Sequence, residues 1–224
     1  RLAQVSIALS GHFRSTGADD QAITAAQQAL ALATADGDVA QQAQANHLLG
    51  LAYYAQGDYR RAIDCGTQTV VALGGERHRE RFGPIFLLAV QSRALLAWCH
   101  AQLGTFAEGR ACGEEGLRIA EEVDHPGGLM WACWGIALLA LRQGDLSRAL
   151  PLLERAMGLC QDAGFQLFLP LLAADLVAAY TLARRVADAV PLLTQAILRE
   201  GRVGDWGRSQ VALGEAQRLA GHLE

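Results

Sequence analysis

Apolar residues recur at helical spacing along most of this chain, and short polar segments separate the helices that this spacing predicts. Over residues 41–56 the apolar positions follow the i, i+1, i+4, i+5 spacing of a single stripe on a helix. The stripe consists of Leu48, Leu49, Ala52 and Tyr53. A second amphipathic helix is predicted over residues 59–73, so this part of the chain reads as a helical hairpin.

The polar segments between the helices contain a recurring element. Residues 57–64 read GDYRRAID and residues 144–151 read GDLSRALP. Related segments begin at Gly17, Gly104, Arg184 and Gly221, with an arginine in place of glycine at position 184. The intervals between successive anchors are 40, 47, 40, 40 and 37 residues. Such regular self-similarity predicts one supersecondary unit repeated along the chain.

Each position of the recurring element has a local structural interpretation. Glycine adopts the left-handed conformation that ends a helix, and Asp58 and Asp145 can then cap the next helix through their side-chain oxygens. A small residue follows five positions after each of the first five anchors, which predicts close contact between helices. These residues are Ala22, Ala62, Gly109, Ala149 and Ala189.

These patterns predict an all-α protein, a right-handed α-solenoid of about five helix-turn-helix repeats of about 40 residues plus a closing helix. The expected repeats are 1–36, 41–74, 85–123, 127–163 and 167–201, and the closing helix is 205–220. Stacking of each pair on the next would stabilise such an array as a single domain without a central core. Because the chain starts at Arg1 and not at a methionine, we expect a piece of a longer protein.

The second unit carries a family resemblance. Asn46-x-x-Leu49-Gly50-x-x-Tyr53, followed by Ala62, resembles the tetratricopeptide pattern, with Asn46 in place of the usual tryptophan. The resemblance implies a solenoid of helix pairs with a concave binding face. The units here are longer than the 34 residues of that family, which predicts longer helices or longer loops.

Three further strings carry a narrower resemblance: GERHRERFGP (75–84), EGLRIAEEVDHP (115–126) and RQGDLSRALPLLERAMGLCQDAG (142–164). They look like the C-terminal tetratricopeptide region of bacterial adenylate/guanylate cyclase–ATPase signalling proteins, over most of residues 40–200. That resemblance implies cyclase and P-loop ATPase domains upstream. More distantly, the chain is similar to the sensor arrays of ATPase-type transcription activators.

Composition and motifs narrow the range of functions that this chain can have. A net charge of −4 and a pI near 5.9 give no global attraction to nucleic acid or anionic lipid, and no apolar run reaches membrane-spanning length.

Five widely spaced cysteines without a C-x-x-C pair favour a reducing cytoplasm. No P-loop, H-E-x-x-H or G-x-S-x-G motif occurs, and no two of the six histidines stand at i, i+4. We therefore expect no catalysis, no cofactor and no metal.

The first helices of the repeats would line the concave face, where such solenoids bind their partners. Aromatic and arginine side chains predominate in binding hot spots, and three of the four tryptophans fall on this predicted surface. The alternative is that the tryptophans pack between neighbouring helices. The repeat register and the tetratricopeptide resemblance place these residues inward: Gln44, His47, Tyr54, Gln91, Trp98, Trp131, Trp134, Arg142 and Arg208.

A charged segment occupies the one enlarged interval between anchors. Its basic residues, which could recognise an acidic or phosphorylated partner, are Arg77, His78, Arg79 and Arg81. Glu76 and Glu80 offset part of this charge, and a mixed-sign run is typical of a solvated loop, so both interpretations stay open.

The function predicted first is a non-catalytic scaffold module of a cytoplasmic signalling protein. It would bind a protein or peptide, from another chain or from its own upstream domains, in the concave groove. Small-molecule sensing is the alternative, with tryptophans stacking on a ligand that Arg142 and Gln91 hydrogen-bond. A third interpretation is self-association as a homodimer.

Overall fold

The computed structural model describes residues 1–82 and 87–185. Within those residues the chain forms nine α-helices, one short 3₁₀ segment and no strand, so the all-α prediction is confirmed. The helices are α1 (Leu2–Ser15), α2 (Asp19–Ala35), α3 (Val39–Ala55), α4 (Tyr59–Ala72), α5 (Leu88–Leu103), α6 (Phe106–Val123), α7 (Pro126–Arg142), α8 (Leu146–Asp162) and α9 (Leu169–Leu182), and the 3₁₀ segment is Gly75–Arg79.

The helices pack as a linear stack of pairs. Each first helix packs against its own second helix, and each second helix packs against the first helix of the next pair. In the described part of the chain no extensive contact joins helices more than two apart in sequence, as expected of a solenoid. The described residues hold four pairs and α9, the first helix of the predicted fifth. The rest of that repeat, the closing helix 205–220 and Arg208 lie outside the described residues.

The turns between paired helices have the predicted geometry. Gly57 and Gly144 have φ angles of +80° and +78°, in the left-handed region that glycine tolerates. Asp58 then accepts a hydrogen bond from the backbone N–H of Arg61 at 3.2 Å, and Asp145 does the same for Arg148 at 3.1 Å. The prediction of a glycine turn followed by an aspartate cap is therefore confirmed at both sites.

The small residues after the turns lie at tight helix contacts. Ala22, Ala62 and Ala149 are fully buried. A Cβ built on Gly109 would lie 2.7 Å from Leu139 Cδ1 and 2.9 Å from His100 Cβ. The third unit therefore has glycine here because even an alanine would clash, while Ala189 lies outside the described residues.

Helices α5 and α7 approach each other especially closely. A Cβ on Gly135 would lie 2.9 Å from both Cα and Cβ of Ala94, so the two backbones cross with no room for a side chain between them. Both helices are buried around most of their circumference. This crossing sets the spacing of the aromatic side chains that the two helices carry.

Among the described helices, none combines the length and the apolar character that a bilayer crossing would need.

Candidate functional site

Aromatic rings from three successive first helices, and from the residue before a fourth, contact one another in a row. Tyr54 of α3 packs against Trp98 of α5, with ring centroids 5.9 Å apart. Trp98 packs in turn on Trp131 and Trp134 of α7, at 5.5 and 5.0 Å. Trp131 meets Phe168, the residue that precedes α9, at 5.2 Å. We call these five residues the aromatic ladder.

The ladder follows from the repeat register and from the close α5–α7 crossing. Trp131 and Trp134 stand at i, i+3 and share one stripe of α7, with ring centroids 5.2 Å apart. The Gly135–Ala94 contact brings α5 close enough for Trp98 to touch both rings. Trp98, Trp131 and Trp134 are only 7%, 6% and 3% exposed. The tryptophans therefore pack between neighbouring helices, as the alternative interpretation expected, while Tyr54 stays half-buried.

The three indole N–H groups differ in their hydrogen bonding. Trp134 Nε1 donates to a carboxylate oxygen of Asp175 at 2.8 Å. Within residues 1–82 and 87–185, Trp98 Nε1 and Trp131 Nε1 are buried without a hydrogen-bond acceptor. Buried polar groups are nearly always paired, so two unpaired donors in one aromatic cluster are an unusual feature.

Sequence reasoning missed Phe168, the ladder residue that precedes α9, and Asp175 of α9, which accepts the hydrogen bond from Trp134. Asp175 is 5% exposed and is the single charged residue in the helix LPLLAADLVAAYTL. A lone carboxylate in an apolar helix is the sequence signal that could have revealed it, because a buried charge needs a polar partner.

His47 and Gln91 lie in the helix interfaces. His47 is buried, and its Nδ1 lies 2.9 Å from Ser92 Oγ, which links α3 to α5. Burial, with a smaller effect of the positive charge of Arg14, lowers the pKa of His47 to about 3. Gln91 is 1% exposed, and its Oε1 has no partner among the described residues.

The remaining predicted inward residues are more accessible. Gln44 is half-buried on α3, and Arg142 is exposed at the last position of α7. Arg142 makes no hydrogen bond or cation–π contact with the ladder within the described residues, and Arg208 lies outside them. A role of any of these side chains in binding a partner stays a prediction.

The charged segment forms one wall of a second feature, a cleft of about 830 Å³. His78 and Arg79 line it, whereas Arg77 pairs with Glu80 at 3.7 Å and Arg81 is exposed. Further lining comes from Arg93 of α5 and Arg118 of α6, which sequence reasoning did not connect to this segment.

Metal-ligating and nucleophilic groups are not assembled in the part of the chain that the structure describes. No group of three or more His, Cys, Asp or Glu side chains there could hold a metal ion. Burial raises the pKa of Cys99 and Cys160 to about 12, and chiefly burial raises that of Cys65 to about 11. These thiols stay protonated at neutral pH, and the thiolate is the nucleophilic form.

A family model for the tetratricopeptide repeat matches residues 43–65, which span most of α3 and the first half of α4. These are the residues that carry the Asn46–Ala62 motif. The described fold is a tetratricopeptide-type array. No curated protein matches the sequence significantly.

Two solved structures show the same architecture at low sequence identity. The nearly identical TPR-like repeats of a Podosopora anserina kinesin light chain align with a TM-score of 0.57 and 18% identity, over 88% of this chain and 93% of that one. Aspartyl phosphate phosphatase F from Bacillus subtilis aligns with a TM-score of 0.64 and 15% identity, over 89% of this chain and 49% of that chain. This chain therefore spans about half of the phosphatase, and both likenesses concern the fold alone.

Proposed function

We propose that this chain is a non-catalytic protein-interaction module that binds an extended peptide segment of a partner along the concave face, with the aromatic ladder as its anchor. The observation that carries the proposal is the pair of unpaired indole donors on Trp98 and Trp131. A buried unpaired donor costs about 1–3 kcal/mol. Both N–H groups are buried in the structure, so neighbouring side chains must move before a backbone carbonyl of a bound peptide can accept a hydrogen bond from them.

The position of the ladder supports this assignment. First helices line the concave face of arrays of helix pairs, and the ladder connects three of them and the residue that precedes α9. Tyr54 marks its more accessible end, where the phenol oxygen accepts a hydrogen bond from Gln102 Nε2 at 3.3 Å. Aromatic anchors in well-packed surroundings are the usual hot spots of protein interfaces.

Conservative substitutions test the proposal. A peptide selected from a random library on the wild-type protein is measured by fluorescence anisotropy against Trp98→Phe and Trp131→Phe. Each variant keeps an aromatic ring but loses the donor, so we expect about fivefold to tenfold weaker binding, on the order of 1 kcal/mol. Circular dichroism should show unchanged helicity.

Arg60→Gln, at an exposed position of the second helix α4 and outside the ladder, serves as the control and should bind as the wild type does. Equal binding by all four proteins would refute the anchor role of the ladder, as would a library that yields no binder.

We propose in addition that the module belongs to a cytoplasmic bacterial signalling protein and passes its bound state to cyclase or ATPase domains upstream. The resemblance of residues 75–84, 115–126 and 142–164 supports this context. The full reading frame tests it, because a frame without a nucleotide cyclase or ATPase domain would contradict the assignment.

A small polar ligand is the second candidate occupant, favoured by the buried, unpaired Oε1 of Gln91. Gln91 stands two helical turns before Trp98 on α5, so an acceptor and a donor share one face of the helix. A thermal-shift screen separates the two candidates, because a small molecule that binds only the folded chain raises the melting temperature. If the screen finds no small molecule while the library yields a peptide that binds, the peptide is the occupant of the site.

Self-association is supported by a different surface. Leu2, Val5 and Leu9 of α1 are 71%, 56% and 43% exposed, and their spacing places them on one side of the helix. Light scattering on the wild type and on Val5→Glu tests this proposal. A homodimer through α1 should dissociate in the variant, and a monomeric wild type would contradict it.

A further inference from the structure

The cleft beside the 3₁₀ segment lies apart from the aromatic ladder and is lined by charged side chains from several elements. Its walls are the end of α4, the 3₁₀ segment, α5 and α6, and its volume of about 830 Å³ falls in the range of small-molecule sites. The charged and titratable residues that line it are Glu76, His78, Arg79, Arg93, Glu115 and Arg118.

Most of these charges are already paired. Arg118 binds Glu115 through two parallel hydrogen bonds of 2.8 and 2.9 Å, and its remaining NH1 group donates to Glu122 at 2.9 Å. The other oxygen of Glu122 accepts a hydrogen bond from Arg79 and lies 3.5 Å from His78 Nε2. Glu115 and Glu122 of α6 therefore neutralise Arg118 and Arg79.

Arg93 is the exception. Its NH1 group donates to the backbone carbonyl of Ala89 at 2.8 Å, but among the described residues no carboxylate lies close enough to form an ion pair with it. The side chain is half-buried, and this burial lowers the pKa of its guanidinium, while the negative charge of Glu115 offsets part of the effect from beyond ion-pair distance. A guanidinium has five N–H donors, and withdrawing such a charge from water is unfavourable unless an anion compensates it.

The fold holds Arg93 in this position. Its aliphatic part lies against Gly116 of α6, where a Cβ would come within 3.3 Å of Arg93 Cβ and 3.8 Å of Arg93 Cδ. Gly116 thus leaves room for the arginine to pass across α6 towards the cleft. A fixed guanidinium loses less side-chain entropy when it binds an anion than a free surface arginine does.

We propose that this cleft is a binding site for an oxyanion, which is a phosphate or carboxylate group. Arg93 binds the oxyanion by donating hydrogen bonds from the N–H groups that no carboxylate of the described residues occupies. Arg79 and Arg118 stand beside it and can each shift one donor to the ligand. Glu76, exposed on the lining, opposes a densely charged anion. Because the cleft is much larger than one phosphate ion, the oxyanion belongs to a larger ligand.

Binding of simple probes tests the proposal. Inorganic phosphate, O-phosphoserine and glutarate are titrated separately into the ¹⁵N-labelled protein, and the arginine side-chain and cleft backbone signals are followed by NMR. We expect saturable shifts confined to the cleft, with weaker binding at higher ionic strength. Binding of the phosphate probes alone, or of glutarate as well, identifies which oxyanion the site takes.

Two variants with opposite expected effects assign the site to Arg93. Arg93→Gln removes the charge and should weaken binding about tenfold or more, as expected for the loss of a charge-assisted hydrogen bond. Glu115→Gln removes a carboxylate from the lining and releases Arg118, and should strengthen binding about threefold. The second variant keeps the test decisive even if the first were unstable.

Arg60→Gln serves as the matched control, since Arg60 is exposed on α4 and does not line the cleft. The proposal is overturned if none of the three probes shifts the cleft signals, or if Glu115→Gln and a folded Arg93→Gln both bind as the wild type does. Neither result would bear on the aromatic ladder, because the two sites share no residue.

Discussion

Trp134 Nε1 donates a hydrogen bond to a carboxylate oxygen of Asp175 at 2.8 Å, joining α7 to α9 where both side chains are buried. Trp131 lies three residues earlier on the same stripe, and its indole N–H has no acceptor among the described residues. Two neighbouring rings of the same size thus differ in the hydrogen bonding of their indole N–H groups. The difference separates the structural part of the ladder from the part proposed to bind a partner.

The first prediction compares these two rings. Trp134→Phe should lower the free energy of unfolding by about 1–2 kcal/mol more than Trp131→Phe, because only the first variant removes a hydrogen bond to a buried carboxylate. Both substitutions remove the same atoms, so the loss of packing is comparable. Urea denaturation followed by circular dichroism measures the difference, and equal losses would contradict the assigned hydrogen bond.

The second prediction concerns the turn at Arg184, which has a φ of +57° where the other described anchors have glycine. A left-handed conformation costs a non-glycine residue roughly 1–2 kcal/mol. Arg184→Gly should therefore stabilise the chain by about 1 kcal/mol, although the added chain entropy of glycine reduces the gain.

Gly57→Ala is the matched reverse change, because Gly57 has a φ of +80° and open space around its Cβ position. It should destabilise the chain by about 1 kcal/mol through backbone strain alone. Thermal unfolding of both variants measures the two effects, and shifts of the same sign would argue against the shared turn geometry.

The third prediction tests the small residue after each turn. Ala149 is fully buried in the helix contact, so Ala149→Leu should lower the free energy of unfolding by about 1–3 kcal/mol through overpacking. Ala107→Leu, at an exposed position of α6, should change it by less than about 0.5 kcal/mol. Chemical denaturation of the two variants provides the comparison.

The fourth prediction is a pH dependence that arises from His47. Its pKa falls from an ordinary value of 6.5 to about 3 in the folded chain, so the unfolded chain takes up a proton as the pH drops below 6.5 and the folded chain does not. The contribution of His47 to the free energy of unfolding is fully present above pH 6.5 and declines as the pH falls towards 3.

Between pH 7.5 and pH 5 this loss amounts to about 2 kcal/mol of unfolding free energy. His47→Gln keeps a polar side chain but cannot titrate. Between pH 7.5 and pH 5 the free energy of unfolding of this variant should therefore fall by about 2 kcal/mol less than that of the wild type. Urea midpoints at both pH values measure the effect, and parallel declines in the two proteins would rule out His47 as the source.

The sequence predicted only some of the residues and contacts that form the candidate site. The repeat register places Trp131 and Trp134 on one stripe of α7, and the structure confirms that they are neighbours. Their burial depends on the backbone contact of Gly135 with Ala94 and on Phe168, which reaches the ladder from the next unit. None of these distances is contained in the spacing of residues along one helix.

The sequence by itself determined the repeated hairpins, because a left-handed glycine, an aspartate cap and a small contact residue act within a few positions of one another. Asp58 and Ala62 needed only the chain around them to be interpreted correctly. Tertiary structure alone decided which polar groups are paired between helices. Trp134 meets Asp175 of α9, while Trp131 meets no acceptor among the described residues, because a hydrogen bond needs close approach and packing sets the distances between helices.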